Sequence, residues 1–251
     1  MRSEIASTLA LYPVPFFRYT MSFFLESLSS ALHLIGSLDP ELVTIIRVSL
    51  TVSGIATVLA AIVGIPAGFG IAYGRLPGKR ILITLLNTLL ALPTVVIGLF
   101  VYTFISRRGI FGPLDLLYTQ KAMIIGQFIL ILPLIAALTI AAISRVDERY
   151  RKTAMTLGAN TWQAALVVLR EGRFAIGAAV ISAFGRVISE IGISMMLGGN
   201  IKGFTRTMTT AMALEYDKGA FTLAVSLGLV LMIISLAINI MFNLIQGKGS
   251  R

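Results

Sequence analysis

Two charges of opposite sign, Arg186 and Glu190, stand four residues apart inside an otherwise apolar run from Phe174 to Leu197. At helical spacing they share one face and can pair. Ser182 and Ser189 flank Arg186 at helical spacing, and Ser194 follows Glu190, so the run carries a polar stripe. In lipid such a stripe must face protein or water. A tetrahedral oxyanion needs hydroxyl and amide donors, which suits this stripe. Ser182, Arg186, Ser189 and Glu190 are therefore candidates for a translocation path or gate. The competing reading is a structural ion pair that fixes helix packing. Other chemistries have little to run on. There is no cysteine and one histidine, His33, which excludes disulfides, thiolate metal sites and cysteine nucleophiles. No Gly-x-x-x-x-Gly-Lys-Ser/Thr loop is present to cradle nucleotide phosphates. No catalytic constellation, cofactor motif or metal site is expected, so energy for transport must come from a partner, from an ion gradient, or not at all.

Composition says what must position these residues. The chain has 251 residues, 57% hydrophobic and 13% charged, with a mean hydropathy of +0.91. A soluble domain carries roughly 25% charged residues, so the solvent for this chain is the lipid bilayer. The net charge of +10 does not point to nucleic acid, because the basic residues cluster between apolar runs instead of forming one face. A spanning helix needs about 20 mostly apolar residues, and five stretches qualify: Val48–Gly74, Ile81–Ser106, Ala122–Ser144, Phe174–Leu197 and Gly219–Gly247. The fold class is an all-α membrane protein. Gly64 with Gly68, and Gly70 with Gly74, have the small-xxx-small spacing of closely packed helices.

Residues 1–38 form an N-terminal segment of a different kind. Between Tyr19 and Leu38, Phe24, Leu28, Ala31, Leu32 and Ile35 alternate at helical spacing with Glu26, Ser29, Ser30, His33 and Ser37. Two faces of that sort predict an amphipathic helix lying at the membrane interface, with a sixth, imperfect span as the alternative. No small-residue cleavage site precedes it, so no signal-peptide processing is expected. The transmembrane domain is 39–247 and a cytosolic tail is 248–251. Alternating spans gather Arg75, Lys79, Arg80, the basic loop 145–173, Lys248 and Arg251 on one side, which is therefore the cytosolic one. The C-terminus is then cytosolic and the N-terminus external. Gly198-Gly-Asn200 is expected to end a helix, and Thr205–Tyr216 to form a short surface helix that meets an external partner.

The loop 145–173 interrupts the membrane-length runs. Within it a short helix ends at Gly158, where a turn needs little steric bulk. Thr161 can begin the next helix, as its cap or close to it, and Trp162 can anchor in a partner's cleft or sit as an interfacial aromatic. The stretch Lys152-Thr-Ala-Met-Thr-Leu-Gly158-Ala-Asn-Thr-Trp162-Gln-Ala-Ala-Leu-Val-Val168 resembles the cytoplasmic "EAA" loop of ABC importer permeases. Ala154, Gly158 and Val168 match that pattern, whereas Lys152 and Thr153 replace its Glu and first Ala, and Arg170-Glu171 replaces its Leu-Pro.

The stretch 184–200, then Thr205-Arg206-Thr207-Met-Thr-Thr210, resembles the tungstate-type oxyanion permease subfamily, as do Arg47-Val-Ser-Leu-Thr-Val and Gly64-Ile-Pro66-Ala-Gly68. The resemblance covers roughly residues 20 to 246. It implies the type I ABC importer permease fold, a homodimer, two ATP-binding subunits and an external tungstate-binding protein. It also implies that Ala154, Gly158, Ala159, Thr161 and Trp162 couple the chain to the ATPase. An importer of molybdate or another oxyanion is the near alternative. A self-contained secondary transporter or channel, or a membrane scaffold, is the alternative of another class.

Overall fold

The computed structural model describes residues 15–37, 39–74 and 77–247, all helix and connecting turns, with no strand among them. The helices are α1 (Pro15–Gly36), α2 (Pro40–Tyr73), α3 (Lys79–Leu90), α4 (Thr94–Ile105), α5 (Gln120–Ser144), α6 (Glu148–Thr156), α7 (Thr161–Glu171), α8 (Arg173–Ile188), α9 (Gly192–Gly198), α10 (Met208–Asp217) and α11 (Phe221–Gly247). Residues 1–14, Arg75 and the tail 248–251, to which the sequence assigns an N-terminal segment, a basic loop and a cytosolic end, lie outside the described residues.

Among the described residues α2, α5 and α11 are each long and apolar enough to cross a membrane. Two further spans are bent pairs, α3 with α4 at 96° and α8 with α9 at 59°, which gives up to five. The expected runs Ile81–Ser106 and Phe174–Leu197 are therefore not continuous helices. The first breaks because Pro93 disfavours helical geometry at Leu92 and has no N–H to donate. The second breaks at Ser189–Ile191, where the Glu190 carboxylate takes over the first N–H groups of α9. The two breaks adjoin: a Cβ on Gly192 would lie 3.1 Å from Thr94 Oγ1 and 3.3 Å from Val95.

The centre of the bundle is α2 against α5. Asp39 caps α2, its Oδ1 accepting the Glu41 and Leu42 N–H groups at 2.7 and 3.2 Å, and Pro40 opens the helix where a missing N–H costs nothing. Val52, Ala56, Ala60, Gly64 and Gly68 recur every fourth residue and are all buried. At Gly68 the approach is closest: a Cβ there would sit 2.5 Å from the Ala136 carbonyl and 2.9 Å from Thr139. Lipid tails are as apolar as leucine, so burial in the hydrophobic sense does not hold these helices together; close packing does. Gly70, by contrast, has no neighbour within 4 Å of its Cβ position, so it makes no such close approach within the described residues. Short α9 wedges Ile193 and Leu197, both fully buried, between α4 and α5.

The N-terminal helix α1 meets α11 through small residues. Ser27 and Ala31 are buried, and Ser226 Oγ donates to the Ser27 carbonyl at 2.9 Å. Its large apolar side chains, Phe24, Leu25, Leu32 and Ile35, point outward. Gly199, at φ +68°, closes α9 as expected of the Gly-Gly-Asn stop. The helix expected at Thr205–Tyr216 is α10, and its first turn is not on the surface. Met208, Thr209, Thr210 and Ala211 are buried, and Met208 N–H donates to Ser49 Oγ of α2 at 2.9 Å.

Candidate functional site

The break between α8 and α9 brings the predicted charges together in a way that helical spacing did not foresee. α8 ends at Ile188, so Arg186 and Glu190 do not share a helix face. Glu190 instead stands in the connection, 4% exposed, and divides its oxygens. Oε1 accepts the Gly192 and Ile193 N–H groups at 2.9 and 3.4 Å, and Oε2 faces Arg186 Nη1 at 3.4 Å. A carboxylate at a helix N-terminus is favoured both by its unpaired N–H groups and by the helix dipole. The Glu190 carbonyl also accepts Thr209 Oγ1 at 3.0 Å, which ties the break to α10. Arg186 keeps 48% of its side chain exposed.

Ser182 and Ser189 are exposed with Arg186 along α8. Their hydroxyls donate back to the Ala178 and Gly185 carbonyls at 2.9 and 3.0 Å. Ser194 does not continue this stripe. It is fully buried on α9 and accepts from Gln127 Nε2 of α5 at 3.4 Å. The open polar face thus consists of Ser182, Arg186 and Ser189, with Glu190 behind it. Sequence reasoning missed Gln127, the one buried amide in α5, whose Oε1 has no hydrogen-bond partner. An amide inside the otherwise apolar run Ala122–Ser144 was the available signal. Among the described residues no cluster of histidine and carboxylates is arranged to hold a metal ion.

The second candidate region is the α6–α7 hairpin. Asp147 caps α6 by accepting Arg149 N–H at 2.9 Å, and Glu148 pairs with Lys152 at 3.2 Å one turn on. The helix ends where Gly158, at φ +88°, turns left-handed, and Ala159 N–H returns to the Ala154 carbonyl at 3.0 Å. A side chain is disfavoured at that φ, which is why glycine stands there. Asn160, not Thr161, caps α7. Its side chain accepts Gln163 N–H at 2.8 Å while Gln163 Oε1 accepts Asn160 N–H at 2.9 Å, a reciprocal capping box. Thr161 is the first helical residue, and its carbonyl accepts Tyr73 OH at 3.4 Å.

Ala164, Ala165 and Val168 anchor α7 to the bundle, with Val168 packed among Ala142, Ile143 and Ile176. On the other side Leu157 and Trp162, large and apolar, flank Gly158 at 82% and 70% exposure. Tyr150 of α6 is held to Glu171 of α7, whose negative charge and hydrogen bond push the phenol pKa above its usual value. The hairpin is therefore braced from within and from the bundle, and it presents an apolar knuckle outward.

A helical bundle with three long apolar helices and two bent pairs has the architecture of a multi-pass membrane protein. Residues 40–248 match the family of binding-protein-dependent transport system inner membrane components, and the chain belongs to that family. It is therefore a multi-pass membrane protein that works with an ATP-hydrolysing partner and a substrate-binding protein. It is 40% identical over 228 residues to the tungstate uptake system permease protein TupB of Peptoclostridium acidaminophilum, covering 90% of this chain and 99% of that one. It is 36% identical over 222 residues to the protein of the same description from Campylobacter jejuni, covering 88% and 93%. In fold it is similar to a bacterial ABC transporter that imports the acidic polysaccharide alginate, with a TM-score of 0.74 at 15% identity over 100% of this chain and 96% of that one.

Proposed function

We propose that this chain is the membrane-spanning permease subunit of an ATP-driven tungstate importer. The observation that carries the reading is near full-length identity of 40% to a tungstate uptake permease. The chain acts as a homodimer with two ATP-binding subunits and receives tungstate from an external tungstate-binding protein. It hydrolyses no ATP itself. Its C-terminus is cytosolic and its N-terminus external, with α1 at the membrane interface.

Ala154, Gly158, Ala159, Thr161 and Trp162 form the contact with the ATPase. The exposed knuckle around Gly158 supports that role, because a rigid, braced hairpin transmits a push to α5 and α8 that a loose loop would absorb. Ser182, Arg186, Ser189 and Glu190 belong to the translocation path. The Ser182 and Ser189 protons are engaged on backbone carbonyls, so the half-exposed Arg186 guanidinium is the chief anion donor. Glu190 fixes that guanidinium at the break and keeps the cation from binding an oxyanion too tightly to release.

The test is reconstitution of the chain with its ATP-binding subunit and binding protein in vesicles, with uptake of tungstate, molybdate and sulfate compared. Tungstate uptake that requires ATP is expected. Preference for molybdate would replace the substrate, and uptake without ATP or the partners would replace the class.

A further inference from the structure

An apolar groove of about 620 Å³ runs between the last turns of α2 and the outer side of α7. Its lining includes Pro66, Phe69, Gly70, Tyr73, Trp162 and Leu166. The volume lies within the roughly 300–1,000 Å³ typical of small-molecule sites. From Ile65 to Tyr73 the groove follows α2 for eight residue rises, about 12 Å, which is less than one leaflet of a hydrocarbon core about 30 Å thick. At the Tyr73 end stand two cations. Arg151 lies 4.6 Å over the Tyr73 ring, and Lys79 Nζ donates to the Ala72 carbonyl at 2.6 Å. Among the described residues neither forms an ion pair.

We propose that this groove binds an anionic phospholipid from the leaflet that meets α6 and α7. One acyl chain lies along Pro66, Phe69 and Gly70, and the headgroup phosphate sits against Arg151 and Lys79. An apolar slot that fits within one leaflet suits part of an acyl chain, and unpaired cations at headgroup level select a negative headgroup. A second copy of this chain is a poorer occupant, because a two-fold contact here would set the same cations against each other. The site lies at the base of the coupling hairpin, so its occupant braces the hairpin from the membrane side. The lipid site depends on α2 lying in the bilayer, and its test reads neither transport nor ATP.

Trp162 is the only tryptophan of the chain and lines the groove, so in the chain reconstituted without its proposed ATP-binding partner its fluorescence reports the lipid occupant. The full-length chain is reconstituted in bilayers containing brominated phosphatidylglycerol or brominated phosphatidylcholine at equal mole fraction. The anionic lipid is expected to quench Trp162 preferentially, with a binding preference of about fivefold for each cation that reaches the headgroup. Arg151→Gln with Lys79→Gln should reduce quenching by the anionic lipid to that of phosphatidylcholine. Gly70→Leu, whose Cβ would meet nothing within 4 Å, projects a side chain into the groove and should lower quenching by both. Equal quenching by the two lipids in the unaltered chain would overturn the proposal. So would absence of quenching, which would mean that protein covers the groove, or indifference to the paired substitution or to Gly70→Leu.

Discussion

The Arg186 guanidinium reaches the Glu190 carboxylate at 3.4 Å from across the end of a helix, while the other Glu190 oxygen holds the start of the next helix at Gly192. One buried carboxylate therefore joins a cation to a helix cap, and its two bonds respond differently to substitution. Arg186→Gln leaves Glu190 charged, 4% exposed and without its cation. Stranding a buried charge costs about 3–5 kcal/mol, and half-exposure of the arginine brings this change toward the lower end. Glu190→Gln keeps an acceptor for Gly192 N–H and releases an arginine that water already reaches, at about 1 kcal/mol. The order of thermal stability in detergent should be Glu190→Gln above Arg186→Gln, with the double variant less damaged than the sum. Additive losses would show that the two residues do not interact.

Gly158 sits at φ +88° with nothing within 4 Å of its Cβ position, so substitution there strains the backbone without a clash. Gly158→Val should cost the turn about 1–2 kcal/mol, and Gly158→Asn less. In the reconstituted transporter the valine variant should retain ATP hydrolysis while losing ATP-driven uptake. Normal uptake by an assembled Gly158→Val complex would remove the coupling role from this turn.

Gly68 and Gly70 lie on one helix and should respond with opposite signs. A methyl at Gly68 meets the Ala136 carbonyl and Thr139, and overpacking of that kind costs about 1–3 kcal/mol. A methyl at Gly70 meets nothing, so Gly70→Ala should gain about 0.5–1 kcal/mol from reduced backbone freedom. Unfolding temperatures of the two variants in the same detergent decide the matter, and a shift in the same direction would contradict the α2–α5 contact.

Length and hydropathy made the spans legible, because a segment that long and apolar has no other place to go. The break after α3 was half legible in Pro93. The break after α8 was not, since it depends on a glutamate turning its side chain onto backbone N–H groups of the next helix. The assumption of a continuous helix from Phe174 to Leu197 then misplaced Ser194 with the open face. The start of α7 at Thr161 was legible, and of the two readings the structure takes the second: the cap is Asn160, whose spacing to Gln163 is that of a capping box. Contacts such as Met208 with Ser49 join residues 159 apart in the chain, and no local pattern carries them.

Tyr150 gives the hairpin a titration signature. Glu171 raises its phenol pKa above the usual 10.0, so the folded chain holds that proton more firmly than the unfolded chain does. The associated stability is present below the ordinary tyrosine pKa and is lost as pH rises through the folded value. A tyrosinate absorbance titration of the chain minus that of Tyr150→Phe should isolate one late-titrating group. Glu171→Gln should move that group to lower pH. No movement would mean that α6 and α7 are not braced through this pair.

Topology is the prediction on which the coupling role depends. Arg145, Arg149, Arg151, Lys152, Arg170 and Arg173 crowd the segment that carries α6 and α7, and Lys/Arg-rich short loops remain in the cytosol. The opposite end of the bundle carries the loop between α4 and α5, where Ile110 is 76% exposed, whereas Leu157 on the hairpin is 82% exposed. The chain has no cysteine, so a single introduced thiol is a unique handle. Ile110→Cys should react with a membrane-impermeant maleimide in intact cells, and Leu157→Cys only after the membrane is permeabilised. Each variant replaces an exposed side chain, so neither is expected to disturb the fold. The reverse pattern would put Gly158 and Trp162 on the far side of the membrane from any cytosolic ATPase, and the hairpin could then not be the coupling element.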